Sequence, residues 1–141
     1  MLRFLIAVDG SEASSRMIDH LLKKNAWYKE PIEVHLLNVQ HPLHGDVTTF
    51  VDKGQIQHYH HDEGIKALAA ARAKLDAAGV RYVFHIGVGE PAQMIDHYAR
   101  EKKCDQIVMG SRGLGSMTSL VLGSVTTKVM HLTDLPVLIV K

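Results

Sequence analysis

Apolar positions recur along this chain with two spacings that replace each other in turn. Leu2 to Val8 is a short apolar run ending at Asp9-Gly10-Ser11, which reads as a buried strand followed by a turn. Ser11 and Glu12 then open a helix. Met17 with Leu21, and Ile18 with Leu22, stand four apart and give it one apolar face up to about Asn25 to Trp27. After Pro31, Ile32 to Val39 alternates early and then turns largely apolar, as a second strand buried on both faces does. His41 to Gly54 has no period and carries Pro42, Gly45 and Gly54, so it reads as a loop.

From Gln55 to Ala78 the spacing is helical. Ile65, Leu68, Ala69, Arg72 and Leu75 share one side, and Gly79 is the stop. Val80 to Ile86 predicts a third strand, and Gly87 to Pro91 a turn with Pro91 at a first helical position. Ala92, Ile95 and Ala99, with Met94 and Tyr98, mark a third helix running to about Lys103. Ile107 to Met109 is a fourth strand. A loop rich in glycine and serine follows, then a fourth helix that buries Val125, Val129 and Leu132 and ends before Pro136. Val137 to Val140 is the fifth strand.

Strands alternating with helices across the whole length predict an α/β fold, a single doubly wound five-stranded parallel sheet with helices on both faces. The simplest order is 3-2-1-4-5, in which the winding reverses between strands one and four. Ligands of such sheets dock in the crevice at the reversal. Its rim here is Asp9-Gly10 from the first strand and Gly110 from the fourth, brought together across roughly a hundred residues.

Composition narrows the classes. A length of 141 residues predicts one domain spanning 1–141, and 46% apolar with 22% charged residues is the balance of a soluble globular chain. A net charge of +1 with no basic run removes the footprint of a nucleic-acid binder. The apolar runs are strand-sized, so no membrane span is expected, and Met1 leads straight into a strand pattern, which predicts a cytoplasmic protein. The single cysteine, Cys104, has no partner for an internal disulfide. It stands in a polar setting beside Asp105 and reads as incidental.

The chemistry concentrates in Asp105 to Val125. Strand, glycine loop and helix N-terminus make a phosphate-holding arrangement: glycines let backbone N–H groups approach an anion, and the first amides of a helix point at it. The spacing is Gly110-x2-Gly113-x9-Gly123-Ser124. No Gly-Lys-Ser/Thr follows, so this is not a Walker A loop, and Gly-x-Gly-x-x-Gly is absent after every strand. A surface loop rich in Gly and Ser without a ligand is the competing reading. Without a Walker lysine, a triphosphate would be offset by the helix dipole, loop amides and a Mg²⁺ ion, which predicts metal-dependent binding.

The segments AVDGSEAS (7–14), GEPAQMI (89–95), DQIVMGSRGLGS (105–116), GSVTTKVM (123–130) and PVLIVK (136–141) resemble the universal stress protein family, in particular its nucleotide-binding branch. The likeness covers the full chain. It implies an adenine-nucleotide-binding α/β fold, ATP or AMP as ligand, and a homodimer. It also implies that Asp9 lies by the ribose and the phosphate-bound metal, and that Val39 offers its backbone N–H and C=O to the adenine edge. Met109 and Gly110 would pack by the ribose, while Gly113, Gly123, Ser124 and Val125 would bind phosphates, with Arg112 as a further contact. Asn38 departs from the family, where many relatives carry His before the Val.

Two of these residues have simpler roles open to them. Ser124 serves equally as a helix N-cap, and Asp9 as a turn former capping the first helix. The terminal strand, Pro136 to Lys141, is short, apolar and at a sheet edge, so antiparallel pairing with a second copy would extend the sheet across a two-fold axis. His58, His60 and His61, with His41 and His44, invite a metal, although a solvated segment accounts for them as well. The function expected is a nucleotide-responsive regulatory protein active in stress survival. The alternatives are a slow metal-dependent ATPase, with Asp9 the one evident carboxylate at the crevice and no catalytic residue assigned, or a dimeric interaction module without nucleotide.

Overall fold

The computed structural model describes residues 1–43, 52–111 and 122–141. Its elements run in the order β1 (Leu2–Ala7), α1 (Glu12–Lys24), a 3-10 turn (Asn25–Trp27), β2 (Ile32–Gln40), α2 (Lys53–Ala78), β3 (Arg81–Val88), α3 (Pro91–Glu101), β4 (Gln106–Gly110), α4 (Ser124–Leu132) and β5 (Val137–Val140). The five strands form one parallel sheet in the order β3-β2-β1-β4-β5, as the alternation of elements predicts.

Side chains of successive strand residues point to opposite faces, so each strand feeds two cores. Phe4 and Ile6 of β1 and Val34 and Leu36 of β2 pack with Met17, Ile18 and Leu21 of α1 and with Leu68, Ala71 and Leu75 of α2. Leu5, Leu37, Ile107 and Met109 face the other way, against Ala92, Ile95 and Ala99 of α3 and Val129 of α4. Each fully buried leucine or isoleucine contributes about 1.5–3 kcal/mol.

The helix ends follow local chemistry. Ser11 caps α1, its side chain accepting the Ser14 amide. Asp52 and Gln55 form a reciprocal capping box at the start of α2, which therefore begins before the Gln55 that periodicity suggests. Gly79 ends α2 in a left-handed conformation (φ 67°) that a glycine adopts without strain. Pro91 opens α3, with Glu90 accepting the Gln93 amide at 2.8 Å.

Several expectations need correction. Strand β3 continues past Ile86 to Val88, because β2 itself continues to Gln40 and carries its partner along. Ala69 on α2 is exposed, since the helix turns its stripe of Gly64, Leu68, Ala71 and Leu75 to the sheet. Leu132 is 49% exposed rather than buried, and among the α4 residues expected inside only Val129 is fully so. Cys104 is not in a polar setting. It is buried in the α3 side of the core, where desolvation first, and then the charge of Asp105, pushes its thiol up to about 11.

One charged cluster lies under the sheet, toward the start of β2. Glu33 and His35 are buried, with His35 Nε2 at hydrogen-bond distance from Glu33 Oε1 (2.9 Å) and His35 Nδ1 at hydrogen-bond distance from His85 Nε2 (3.2 Å). Arg81 and Arg3 also reach Glu33, at 2.9 and 3.4 Å. Burial opposes ionisation of Glu33, but the His35 hydrogen bond and these cations outweigh it and hold the carboxyl below its usual range. His85 is held low by burial, then by His35 and Lys102.

Candidate functional site

Strand β1 is shorter than its neighbours at the C-terminal end, and the site follows from that. Its pairing with β2 reaches Ala7↔Leu37 and its pairing with β4 reaches Ile6↔Val108, while β2 runs on to Gln40 and β4 to Gly110. Above the end of β1 opens a cleft of about 750 Å³, within the size range of small-molecule sites. Its walls include Asp9, Asn38, Val39, Met109, Gly110 and Ser124, with Glu63 and Ala67 from α2 and Pro91 and Ile95 from α3.

In a strand, the N–H and C=O of one residue point to the same side and those of the next to the other. The Val8 N–H donates to the Leu37 carbonyl (2.8 Å), and the Gly89 N–H donates to the Gln40 carbonyl (3.0 Å). Leu37 therefore faces β1 and Gln40 faces β3, which leaves Val39 turned toward the side that β1 has left. Asn38 sits between them, 3% exposed, and its Nδ2 donates to the Val8 carbonyl at 2.8 Å. Gln40 Nε2 donates in turn to Asn38 Oδ1 at 2.7 Å.

The opposite wall repeats this logic. The Ile107 N–H donates to Pro136 and the Ser111 N–H to Val140, so these residues face β5 and Gly110 faces the gap over β1. The Gly110 carbonyl accepts the hydroxyl of buried Thr126 at 2.8 Å, and the Gly123 N–H donates to the Ser111 carbonyl at 2.8 Å. These two bonds pin both ends of the glycine loop. Arg112 and Gly113, two of the expected site residues, lie outside the described residues.

Gly123 is the N-cap of α4 and no side chain among the described residues caps it, so the N-cap role open to Ser124 from sequence goes to the glycine before it. Ser124 is exposed at the first helical position. The amides of the first turn, those of Ser124, Val125 and Thr126, point out of the helix end, as geometry requires.

Asp9 occupies the turn between β1 and α1. Its Oδ1 accepts the Ser11 N–H (2.9 Å) and the Ser14 hydroxyl (2.7 Å), and its own N–H donates to Ser14 Oγ (3.0 Å). Asp9 thus forms the turn and stands on the cleft wall, while the cap of α1 that the sequence left open to Asp9 belongs to Ser11. Gly10 next to it has φ 83°, and a Cβ there would stand 3.3 Å from the Ala67 Cα, so α2 closes directly onto this turn.

The cleft gathers Asp9, Val39, Met109, Gly110, Gly123, Ser124 and Val125 in its wall. Sequence reasoning overlooked Ser14, Gln40, Glu63 and Thr126, and it passed over Asn38 as a neutral departure. An amide placed between the apolar Leu37 and Val39 was the available signal for Asn38. Nothing local marks Glu63, which reaches the cleft only because α2 packs on Gly10. Of the histidines expected as metal candidates, His58 pairs with Asp62 (3.1 Å), His61 is exposed and His60 is buried, while His44 lies outside the described residues. Among the described residues no group of three or more His, Cys, Asp or Glu could hold a metal, and no helix is long and apolar enough to cross a membrane.

Comparison with known proteins agrees with this geometry. A model of the universal stress protein family matches residues 1–141. Universal stress protein YxiE of Bacillus subtilis is 35% identical, the match covering 99% of this chain and 98% of that protein. The structure of protein MJ0577 of Methanocaldococcus jannaschii is similar with a TM-score of 0.83 at 27% identity, over 99% of this chain and 94% of the other. An Arabidopsis thaliana family protein solved with AMP bound shares the fold at 20% identity, with a TM-score of 0.71 over 100% of this chain and 92% of the other. The fold, the cleft at the winding reversal and the family model lead to one assignment: the chain belongs to the universal stress protein family.

Proposed function

We propose that the cleft binds an adenine nucleotide, ATP or AMP, and that the chain is an ATP-binding regulatory protein whose loaded state serves stress survival. The observation that carries this reading is the pair of open walls over β1. On one side Val39 turns a donor and an acceptor toward the gap; on the other stand Gly110 and the uncapped first turn of α4. A base edge with an acceptor beside a donor, as adenine has, fits the first, and phosphates fit the second.

In this reading Met109 and Gly110 flank the ribose. Gly123, Ser124 and Val125 bind phosphates, joined by Gly113 and Arg112 from the loop. Asp9 serves the ribose and a Mg²⁺ ion. The described cleft wall carries the carboxylates Asp9 and Glu63 and no Lys or Arg, so a Mg²⁺ ion would join Arg112 in offsetting the charge of a polyphosphate there. Asp9 is already engaged by the Ser11 amide and the Ser14 hydroxyl, which suits a binding role better than that of a general base, so any hydrolysis is slow. The whole of residues 1–141 acts as one binding unit. The free side of β5 pairs with a second copy to form a homodimer through residues 136–141.

The test is calorimetric titration of the purified chain with ATP, with and without Mg²⁺, alongside mass analysis of what it carries from the cell. Expected are a carried adenine nucleotide, or saturable ATP binding that weakens without Mg²⁺ and is lost in Gly123→Val. No binding under either condition, or unchanged binding in Gly123→Val, would overturn the reading.

A further inference from the structure

We propose that Asn38 is a positioning residue: it holds the β1–β2 ladder open by one step and so keeps the Val39 peptide available to the base. A parallel ladder that continued beyond the Val8–Leu37 bond would next place the Val39 N–H on the Val8 carbonyl. That carbonyl is instead held by Asn38 Nδ2 at 2.8 Å. The amide is fixed from its other end, because Gln40 Nε2 donates to Asn38 Oδ1 at 2.7 Å, and it is 3% exposed, so water cannot readily replace it.

The energetics favour this arrangement only as a set. A buried amide left unpaired costs about 1–3 kcal/mol, so Asn38 holds its two partners firmly. The Val39 groups, facing the cleft, stay hydrated until a ligand arrives and are then exchanged onto the base without loss. A leucine at 38 has the same number and branching of side-chain heavy atoms but no donor. The Val8 carbonyl would then be left to the Val39 N–H, the ladder would close by one rung, and the donor the base uses would be consumed. Histidine at 38 keeps a donor at the same distance from the backbone, since its Nδ1 lies where the Asn δ atoms do, and so should preserve the opening.

The ladder part of this inference stands on geometry alone, whereas the consequence for the base rests on the proposed nucleotide reading. The experiment keeps the two apart. Amide hydrogen exchange at Val39 is measured without ligand in the wild-type chain, Asn38→Leu and Asn38→His, and each is titrated with Mg²⁺-ATP and with Mg²⁺-tripolyphosphate, which lacks a base. Expected is fast Val39 exchange in the wild type and in Asn38→His, and exchange slowed at least about tenfold in Asn38→Leu. ATP affinity should fall by about tenfold or more in Asn38→Leu alone, with tripolyphosphate affinity within about twofold of wild type.

A Val39 amide already protected in the wild type would overturn the inference, even if Asn38→Leu failed to fold. So would a loss of ATP and tripolyphosphate affinity together, which would mark Asn38 as merely structural. If the wild type bound neither ligand, the nucleotide reading would fail, and the exchange rates alone would still decide the role in the ladder.

Discussion

Thr126 provides the sharpest test of how the glycine loop is held. Its side chain is 4% exposed and donates to the Gly110 carbonyl at 2.8 Å, joining the start of α4 to the end of β4. Valine replaces the hydroxyl by a methyl of nearly the same size, so packing is kept and one bond is removed. The net value of such a bond is about 1 kcal/mol, and a fully buried orphaned carbonyl would add about 1–3 kcal/mol. Gly110 is only half-buried, so water can satisfy part of that demand, and the expected cost of Thr126→Val is about 1–2 kcal/mol. For a chain of this length that is a fall in Tm of roughly 3–8 °C. Thermal unfolding of Thr126→Val and Thr126→Ser checks it. The serine variant keeps the donor and loses a methyl, so it should retain more of the loop's phosphate affinity than the valine variant. A valine variant with unchanged Tm and unchanged ATP affinity would refute the idea that this bond fixes the loop.

Three further outcomes follow from the same geometry. A Cβ at Gly64 would stand 2.6–2.7 Å from three Ile86 side-chain carbons, so in Gly64→Ala the overpacking of about 1–3 kcal/mol should exceed the helix gain of about 1 kcal/mol and lower the denaturation midpoint; an equal or higher midpoint would contradict this. His85 and Glu33 both have depressed values in the folded chain, so their contributions are complete above the unfolded values of 6.5 and 4.5 and are lost as pH falls through the folded ones. Urea midpoints should therefore decline below about pH 6.5, less steeply in His85→Gln, and identical pH profiles would show the cluster to be irrelevant. Pro136, just before β5, and Val140 within it turn their carbonyls to β4, so the Ile139 N–H faces outward. Ile139→Pro should leave the sheet intact and convert the proposed dimer to monomer in sedimentation; a dimer that persists would place the interface elsewhere.

The fold was legible because its signals are local and repeated. Apolar runs such as Ile32 to Val39 announce buried parallel strands, and Gly79 and Pro91 announce helix ends, so the order 3-2-1-4-5 needed only the connection rules. Of the glycine spacing, Gly110 and Gly123 line the crevice, and Gly113 lies outside the described residues. Less legible was everything set by register. That β1 stops short of β2 and β4 depends on which residues pair, and a strand pattern carries no pairing partner. Asn38, Thr126 and Glu63 acquire their places only once those pairs exist. Leu132 and Cys104 were misjudged for a related reason: whether a helix end or a turn is covered depends on its neighbours across the sheet.

The claim on which the account rests is that main-chain groups flanking the short end of β1 grip an adenine nucleotide. Amide chemical-shift mapping during titration with Mg²⁺-ATP addresses it directly. The account predicts saturable shifts centred on Val39, Gly110, Ser124 and Val125, on both walls of the cleft at once. Shifts absent from those amides, or confined to a different surface, would contradict it.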